Sequence, residues 1–167
     1  YNISGNYLMQ QGIIKESDFS RAGIRSNIEQ KIGKKLTMGL LINASRSSSY
    51  NISINQANGS DGGGVTFSAL GMGPLVPVYD EEGNYMLDPD QPYLANPVSL
   101  LEISDKSLTS QLLGNFYLLV TPPDGLDIRM SAGIQQDKIE RNTYIPKSTL
   151  SGAKDVGRAT KSYKNSS

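Results

Sequence analysis

Apolar and polar residues alternate along five stretches of this chain. In the first, Tyr1, Ile3, Gly5, Tyr7 and Met9 share one face, while Asn2, Ser4, Asn6 and Gln10 share the other, with Leu8 out of step. The second sets Ala22, Ile24, Ile28 and Ile32 against Arg21, Arg25, Asn27, Glu29 and Lys31. The third sets Leu36, Met38, Leu40, Ile42 and Ala44 against Thr37, Gly39, Asn43 and Ser45, with Leu41 as the exception. In the fourth, Leu112, Gly114, Phe116, Leu118 and Val120 oppose Gln111, Asn115, Tyr117 and Thr121. The fifth places Leu126, Ile128, Met130, Ala132 and Ile134 opposite Asp127, Arg129, Ser131, Gln135 and Asp137. A period of two is the signature of a β-strand with two unlike faces. A helix would crowd Arg21 and Arg25 beside Ile24 and Ile28, so the helical reading fails.

The pattern predicts strands over about 1–10, 19–32, 36–46, 108–121 and 126–141, joined as an antiparallel meander. Each alternation holds for about ten residues, whereas strands of soluble domains average about five or six. A tilted strand crossing a bilayer needs about nine to eleven. Connections alternate in length as well. Gly33-Lys34-Lys35 and Pro122-Pro123-Asp124-Gly125 are tight turns, since Pro presets φ and Gly accepts a positive one. On the other end lie the join from about Gln11 to Asp18 and a long loop over about 47–107. After the fifth strand the chain runs polar from about Asn142 to Ser167. Short turns at one end and long loops at the other is the layout of a transmembrane β-barrel. Within the long loop, 58–64 is flexible by composition, Val65 to Gly71 suits a short helix, and Pro74 to Tyr79 is extended because two prolines block a helix. Asp80 to Tyr85 and Asp88 to Pro92 read as turns.

Composition narrows the function more than the fold. Lys and Arg number 16 against 16 Asp and Glu, so net charge is zero and the basic excess of a nucleic-acid binder is absent. With no Cys and no His, disulfides, thiolate chemistry, the usual general base and the usual zinc ligands are excluded together. No bond chemistry, cofactor or metal is expected. The hydrophobic fraction of 37% and charged fraction of 19% are low, and 17 glycines fit many turns. No stretch is long and apolar enough for a membrane helix. The opening Tyr1-Asn2-Ile3-Ser4 carries no leader pattern, so the chain reads as a piece of a longer protein.

Periodicity does not say what the apolar face meets. In a sandwich it meets a second sheet, and in a membrane barrel it meets lipid. Strand length, the mixed polar faces and aromatic residues such as Tyr7 and Phe19 near strand ends point to lipid. A soluble or surface-attached β-sandwich that binds glycans is the alternative, and a small autonomous barrel or adhesin a third.

Several ordered stretches then resemble one family. Tyr7-Leu8-Met9-Gln10-Gln11-Gly12-Ile13-Ile14-Lys15, followed by Phe19-Ser20-Arg21 and Arg25-Ser26-Asn27-Ile28, is similar to a strand–turn–strand of the SusC/RagA TonB-dependent outer-membrane transporters of Bacteroidetes. Pro77-Val78-Tyr79-Asp80-Glu81-Glu82-Gly83-Asn84-Tyr85, Asn96-Pro97, Leu113-Gly114-Asn115-Phe116-Tyr117 and Gly125-Leu126-Asp127-Ile128-Arg129 continue the resemblance in order. The resemblance implies an all-β segment of a large barrel in the outer membrane, with a plug elsewhere. It further implies a SusD-like surface lipoprotein as partner, drive from the TonB complex, and import of oligosaccharides or peptides. The plug, the TonB box and a carboxypeptidase-like domain are not found in these residues, and five strands cannot close a barrel of that size.

Candidate site residues follow from this reading. Arg21, Arg25, Asn27, Glu29, Asp127, Arg129 and Asp137 would face the lumen, either lining a solute path or meeting a plug, or simply forming routine ion pairs along a wet wall. Tyr79, Tyr85 and Tyr93, with Asp80 beside them, could contact solute or lid through ring stacking and hydrogen bonds, or pack the loop on itself. Asp80, Glu81, Glu82, Asp88 and Asp90 do not have the spacing of an EF-hand and read as solvated turns.

Overall fold

A computed structural model describes residues 1–52, 64–122 and 125–166. The loop stretch 53–63, which holds most of the glycine-rich 58–64, and residues 123–124 of the proline turn lie outside the described residues. The architecture is one antiparallel meander of six strands in sequential order. These are β1 (Asn2–Gln11), β2 (Asp18–Ile32), β3 (Leu36–Tyr50), β4 (Ser104–Val120), β5 (Ile128–Ile145) and β6 (Arg158–Ser166). Three short helices lie in the connections: α1 (Gly64–Gly71), α2 (Pro97–Leu100) and α3 (Leu150–Asp155).

Five strands are where alternation places them, but there are six. The stretch read as a polar tail contains α3 and β6, and β6 pairs with β5 from Asp137↔Ser166 to Ile145↔Arg158. Three predicted strands are also too short. β3 runs on to Tyr50, β4 begins at Ser104, and β5 reaches Ile145. The reason is common to all. Beyond Ala44, Leu112 and Ile134 both faces of these strands are mostly polar, so the hydrophobic period fades while the hydrogen-bond ladder continues.

The ladder gathers the alternating apolar residues of β1 to β5 on one face, with Leu8, Leu41, Leu113 and Leu119 left on the other. Ile28, Leu40, Phe116 and Ala132 lie side by side across β2 to β5, as do Ile42, Gly114 and Ile134. Among the described residues nothing packs on this face. Ile24 is 54% exposed, Met130 56% and Ile134 63%, whereas the fully buried apolar side chains among the described residues, Leu94, Ala95 and Leu100, all belong to the long loop. The described residues form a single sheet, so no second layer completes a sandwich.

Dimensions of the apolar face match a bilayer. From Leu36 to Ala44 a strand rises about 27 Å. Tilted by about 40°, it spans about 21 Å of a membrane band that is about 25 Å tall in outer-membrane barrels. The border of the band is oblique. Its uppermost residues are Met9 on β1, Ala22 on β2, Ala44 on β3, Leu112 on β4 and Ile134 on β5. Met9 is level with Ser20, whereas Ile134 is level with Gly114 and Ile42, whose neighbour is Ser26. The border therefore drops six residues along the strands, from the level of Ser20 to that of Ser26, between β1 and β5. A level membrane surface cutting tilted strands produces this slope.

The turns obey the predicted chemistry. Gly33 closes β2 to β3 with φ of 66°, and Gly125 precedes β5 with φ of 77°. At the other end, β1 and β2 are joined by a tight loop in which Gly12 N–H donates to Ser17 O at 2.7 Å. In the full-length protein, Leu40→Arg should cost about 2–4 kcal/mol, the cost of a cation at mid-membrane depth. Asn43→Arg, on the opposite face, should stay within about 0.5 kcal/mol. Denaturant titration of both variants checks this, and equal losses would refute the facial assignment.

Candidate functional site

The polar face is built by the same ladder. Arg21, Arg25, Asn27 and Glu29 on β2 share it with Asn43 on β3, Asn115 and Tyr117 on β4, and Arg129 and Asp137 on β5. Asp127 is not on the ladder, because β5 begins at Ile128; it sits at the turn end, fully accessible. Three of these residues converge. Tyr117 Oη donates to Glu29 Oε2 at 2.5 Å, across the width of β3. The Arg129 guanidinium stands 4.5 Å from the centre of the same ring. Gly39 makes this possible, since a Cβ there would occupy the space of the Tyr117 ring. Asp137 accepts a hydrogen bond from Gln135 Nε2 at 2.9 Å. Arg21, Arg25 and Asn27 are exposed and stand apart from this cluster.

Above the band, Asp105 is 8% exposed and holds β4 to β5. Its carboxylate accepts two hydrogen bonds from Arg141 Nε, at 2.8 and 3.1 Å, one from Arg141 Nη2 at 2.5 Å and one from Thr143 Oγ1 at 3.2 Å. A forked guanidinium is suited to this because its donors match the two carboxylate oxygens.

The long loop has its own small core, closed by Asn96. Asn96 Nδ2 donates to Val78 O and Met86 O, both at 3.0 Å, and its Oδ1 accepts from Val98 N–H at 2.9 Å, capping α2. These bonds hold a hairpin whose arms meet at Tyr79 and Tyr85. The two rings lie 5.2 Å apart. Gly83 turns the hairpin with φ of 82°. Asp80 Oδ1 accepts from Asn84 N–H at 2.7 Å, and that backbone bond holds the Asp80 carboxyl below its ordinary value. Asp88 is likewise committed, accepting from Gly73 N–H at 2.9 Å and Asp90 N–H at 3.0 Å. Tyr85 Oη donates to Glu102 Oε1 at 2.8 Å, and Ser148 Oγ donates to Glu102 Oε2 at 2.5 Å. Glu102 thus ties the hairpin to the β5–β6 connection. The Ser148 and Tyr85 hydrogen bonds lower the Glu102 carboxyl, and the bond to Glu102 raises the Tyr85 hydroxyl well above the usual phenol range. Tyr79 and Tyr93 keep most of their rings in solvent, at 51% and 65% exposure.

No family model matches the chain. Two curated relatives do. TonB-dependent receptor P3 of Formosa agariphila is 31% identical over 167 positions, which cover 99% of this chain and 17% of that protein. TonB-dependent receptor P26 of the same organism is 28% identical over 148 positions, 86% of this chain and 14% of that protein. The chain resembles a stretch of a TonB-dependent receptor. It spans less than a fifth of the length of either relative.

Sequence reasoning about this receptor-like stretch misses the residues that matter most to its geometry. Asp105 and Arg141 are far apart in the chain, so their pairing appears only once the register is known. Glu102 carries no motif, and Asn96, although part of the Asn96-Pro97 resemblance and a residue type that caps helices before Pro, gives no sign in the sequence of its bonds to Val78 and Met86. Of the loop tyrosines, Tyr85 packs and is hydrogen-bonded, while Tyr79 and Tyr93 remain open.

Two outcomes are expected. In a double-mutant cycle, Glu29→Ala and Tyr117→Phe should be non-additive in unfolding stability, because either change alone removes the same hydrogen bond; independent effects would refute the contact. Glu102 is depressed on folding, so its contribution to loop order is complete above pH 4.5 and is lost as pH falls through the lower folded value. Protection factors of the hairpin amides, taken against the intrinsic exchange rate at each pH, should therefore fall on acidification below that value, and Glu102→Gln should remove the share of this loss that Asp80 does not carry.

Proposed function

We propose that this chain is a stretch of the wall of a TonB-dependent importer in the outer membrane, a transporter rather than an enzyme. The observation that carries the reading is the single-layer sheet with an exposed apolar band of bilayer height, continuous in register from β1 to β5. The similarity to the two receptors supports it. On this reading the apolar face meets lipid and the polar face, with Arg21, Arg25, Asn27, Glu29, Arg129 and Asp137, looks into the lumen. Asp127 lies at the periplasmic turn and the long loop lies outside the cell.

The finer assignment is a SusC/RagA-type importer of oligosaccharides or peptides working under a SusD-like lipoprotein, with energy delivered by the TonB complex to a plug in another part of the protein. The ordered resemblance from Tyr7 to Arg129 supports it, together with the exposed Tyr79 and Tyr93 rings beside Asp80 on an external loop. Such rings suit stacking on a sugar or on peptide side chains. Tyr85 braces the hairpin that presents them.

The test uses the full-length receptor in vesicles, with single cysteines at Leu40, Phe116, Asn43 or Asn115 carrying a polarity-sensitive fluorophore. Probes at Leu40 and Phe116 should report hydrocarbon and those at Asn43 and Asn115 water. Identical spectra at all four would overturn the wall reading. In cells, uptake of oligosaccharide or peptide mixtures should stop when TonB is disrupted; uptake that persists would overturn the importer reading.

A further inference from the structure

The lipid-side face is not smooth. Gly114 has no side chain and Ala132, diagonal to it on β5, is small, so the surface sinks between Leu40, Ile42, Leu112 and Phe116. The hollow holds about 400 Å³ and opens away from the polar face. Its floor depends on the glycine: a Cβ there would come within 3.0 Å of the Ile134 Cγ2 atom. It lies in the upper half of the apolar band, on the side of the long loop.

Directly above it the same face turns cationic. Arg46, Ser110 and Lys138 are side by side in one ladder row on β3, β4 and β5. That row is four residues along β4 from Gly114, about 14 Å. The Arg46 and Lys138 backbones stand two strand spacings apart, about 10 Å, within the combined reach of two long side chains. Both residues are exposed. The acidic residue nearest on that face, Glu140, is paired with Lys161, with Nζ to Oε1 at 3.3 Å, and also lies in the field of Lys138, whose Nζ rests 5.9 Å from the centre of the exposed Tyr163 ring. Lys106, higher up, leans over the Tyr50 ring at 5.0 Å.

Building on the wall reading, we infer that this hollow and the Arg46–Ser110–Lys138 row form one binding site for a phosphorylated, acylated lipid of the outer leaflet. The hollow takes an acyl chain, which gains dispersion contacts in a surface recess that a flat wall does not offer. The phosphate sits at headgroup height between the guanidinium and the ammonium, with the Ser110 hydroxyl able to donate a third hydrogen bond. Charge complementarity commits the site to an anionic lipid. A zwitterionic lipid would gain the hollow but not the pair of cations.

The test is native mass spectrometry of the full-length receptor in detergent, titrated with lipid A, with dephosphorylated lipid A and with inorganic phosphate. One lipid A per receptor should be retained, roughly 30-fold tighter than the dephosphorylated form, which is what two cations near a charged surface supply. Arg46→Gln with Lys138→Gln should erase that preference. Gly114→Leu should weaken both lipids. Arg25→Gln, on the polar face, should change nothing. Equal retention of the phosphorylated and dephosphorylated lipids by the unaltered receptor would overturn the proposal, and so would inorganic phosphate binding that matches lipid A and ignores Gly114→Leu. If Leu40 still reports hydrocarbon in the labelling experiment, that failure belongs to the lipid site alone and the wall reading stands.

Discussion

A single antiparallel layer can satisfy its backbone by hydrogen bonds between neighbours, but it cannot cover its own apolar face. In this chain the face runs from Ile3 on β1 to Ile134 on β5 without a helix or second sheet above it. In water, such a patch would far exceed what soluble proteins expose. On the wall reading lipid removes the conflict, because hydrocarbon is the missing layer. Strand length, the oblique border of the band and the polar character of the other face all follow from that requirement. A tilted strand must be long to cross, a level interface must cut it on a slant, and the side away from lipid must tolerate water.

Above the band the organising force changes. Strands there are mostly polar on both faces, so pairing is reinforced by polar devices. Asp105 and Arg141 clamp β4 to β5, and Lys161 meets Glu140 across β5 and β6. The long loop buries its own small core around Leu94, Ala95 and Leu100. The chain thus stacks two regimes along one set of strands, hydrocarbon below and hydrogen bonding above.

How much of this could be read from residues alone depends on the regime. Leu36 to Ala44 and Leu112 to Val120 carry the period on their apolar face without a break, although Leu41, Leu113 and Leu119 fall on the other, and that period is enough to place both strands. Arg158 to Ser166 shows no such period. Tyr163 and Ala159 share a face with Lys161 and Asn165, and the opposite face carries Arg158, Thr160, Ser162 and Lys164. With both faces wet, no period survives for a pattern to reveal, and β6 was invisible. The polar-face residues were readable as a set, since parity alone assigns them. The contact between Glu29, Tyr117 and Arg129 was not, since it depends on a glycine at position 39 leaving room for a ring.

The hairpin of the long loop is divided by its hydrogen bonds into a frame and a tip. Asn96 holds both arms at Val78 and Met86, and Glu102 anchors Tyr85 to Ser148. Glu81 and Glu82, at the tip, are exposed, while Gly83 is held to its turn by a positive φ. The two glutamate positions can vary in size and charge without disturbing the arms, so surface chemistry can diversify at the tip while the scaffold beneath keeps its shape.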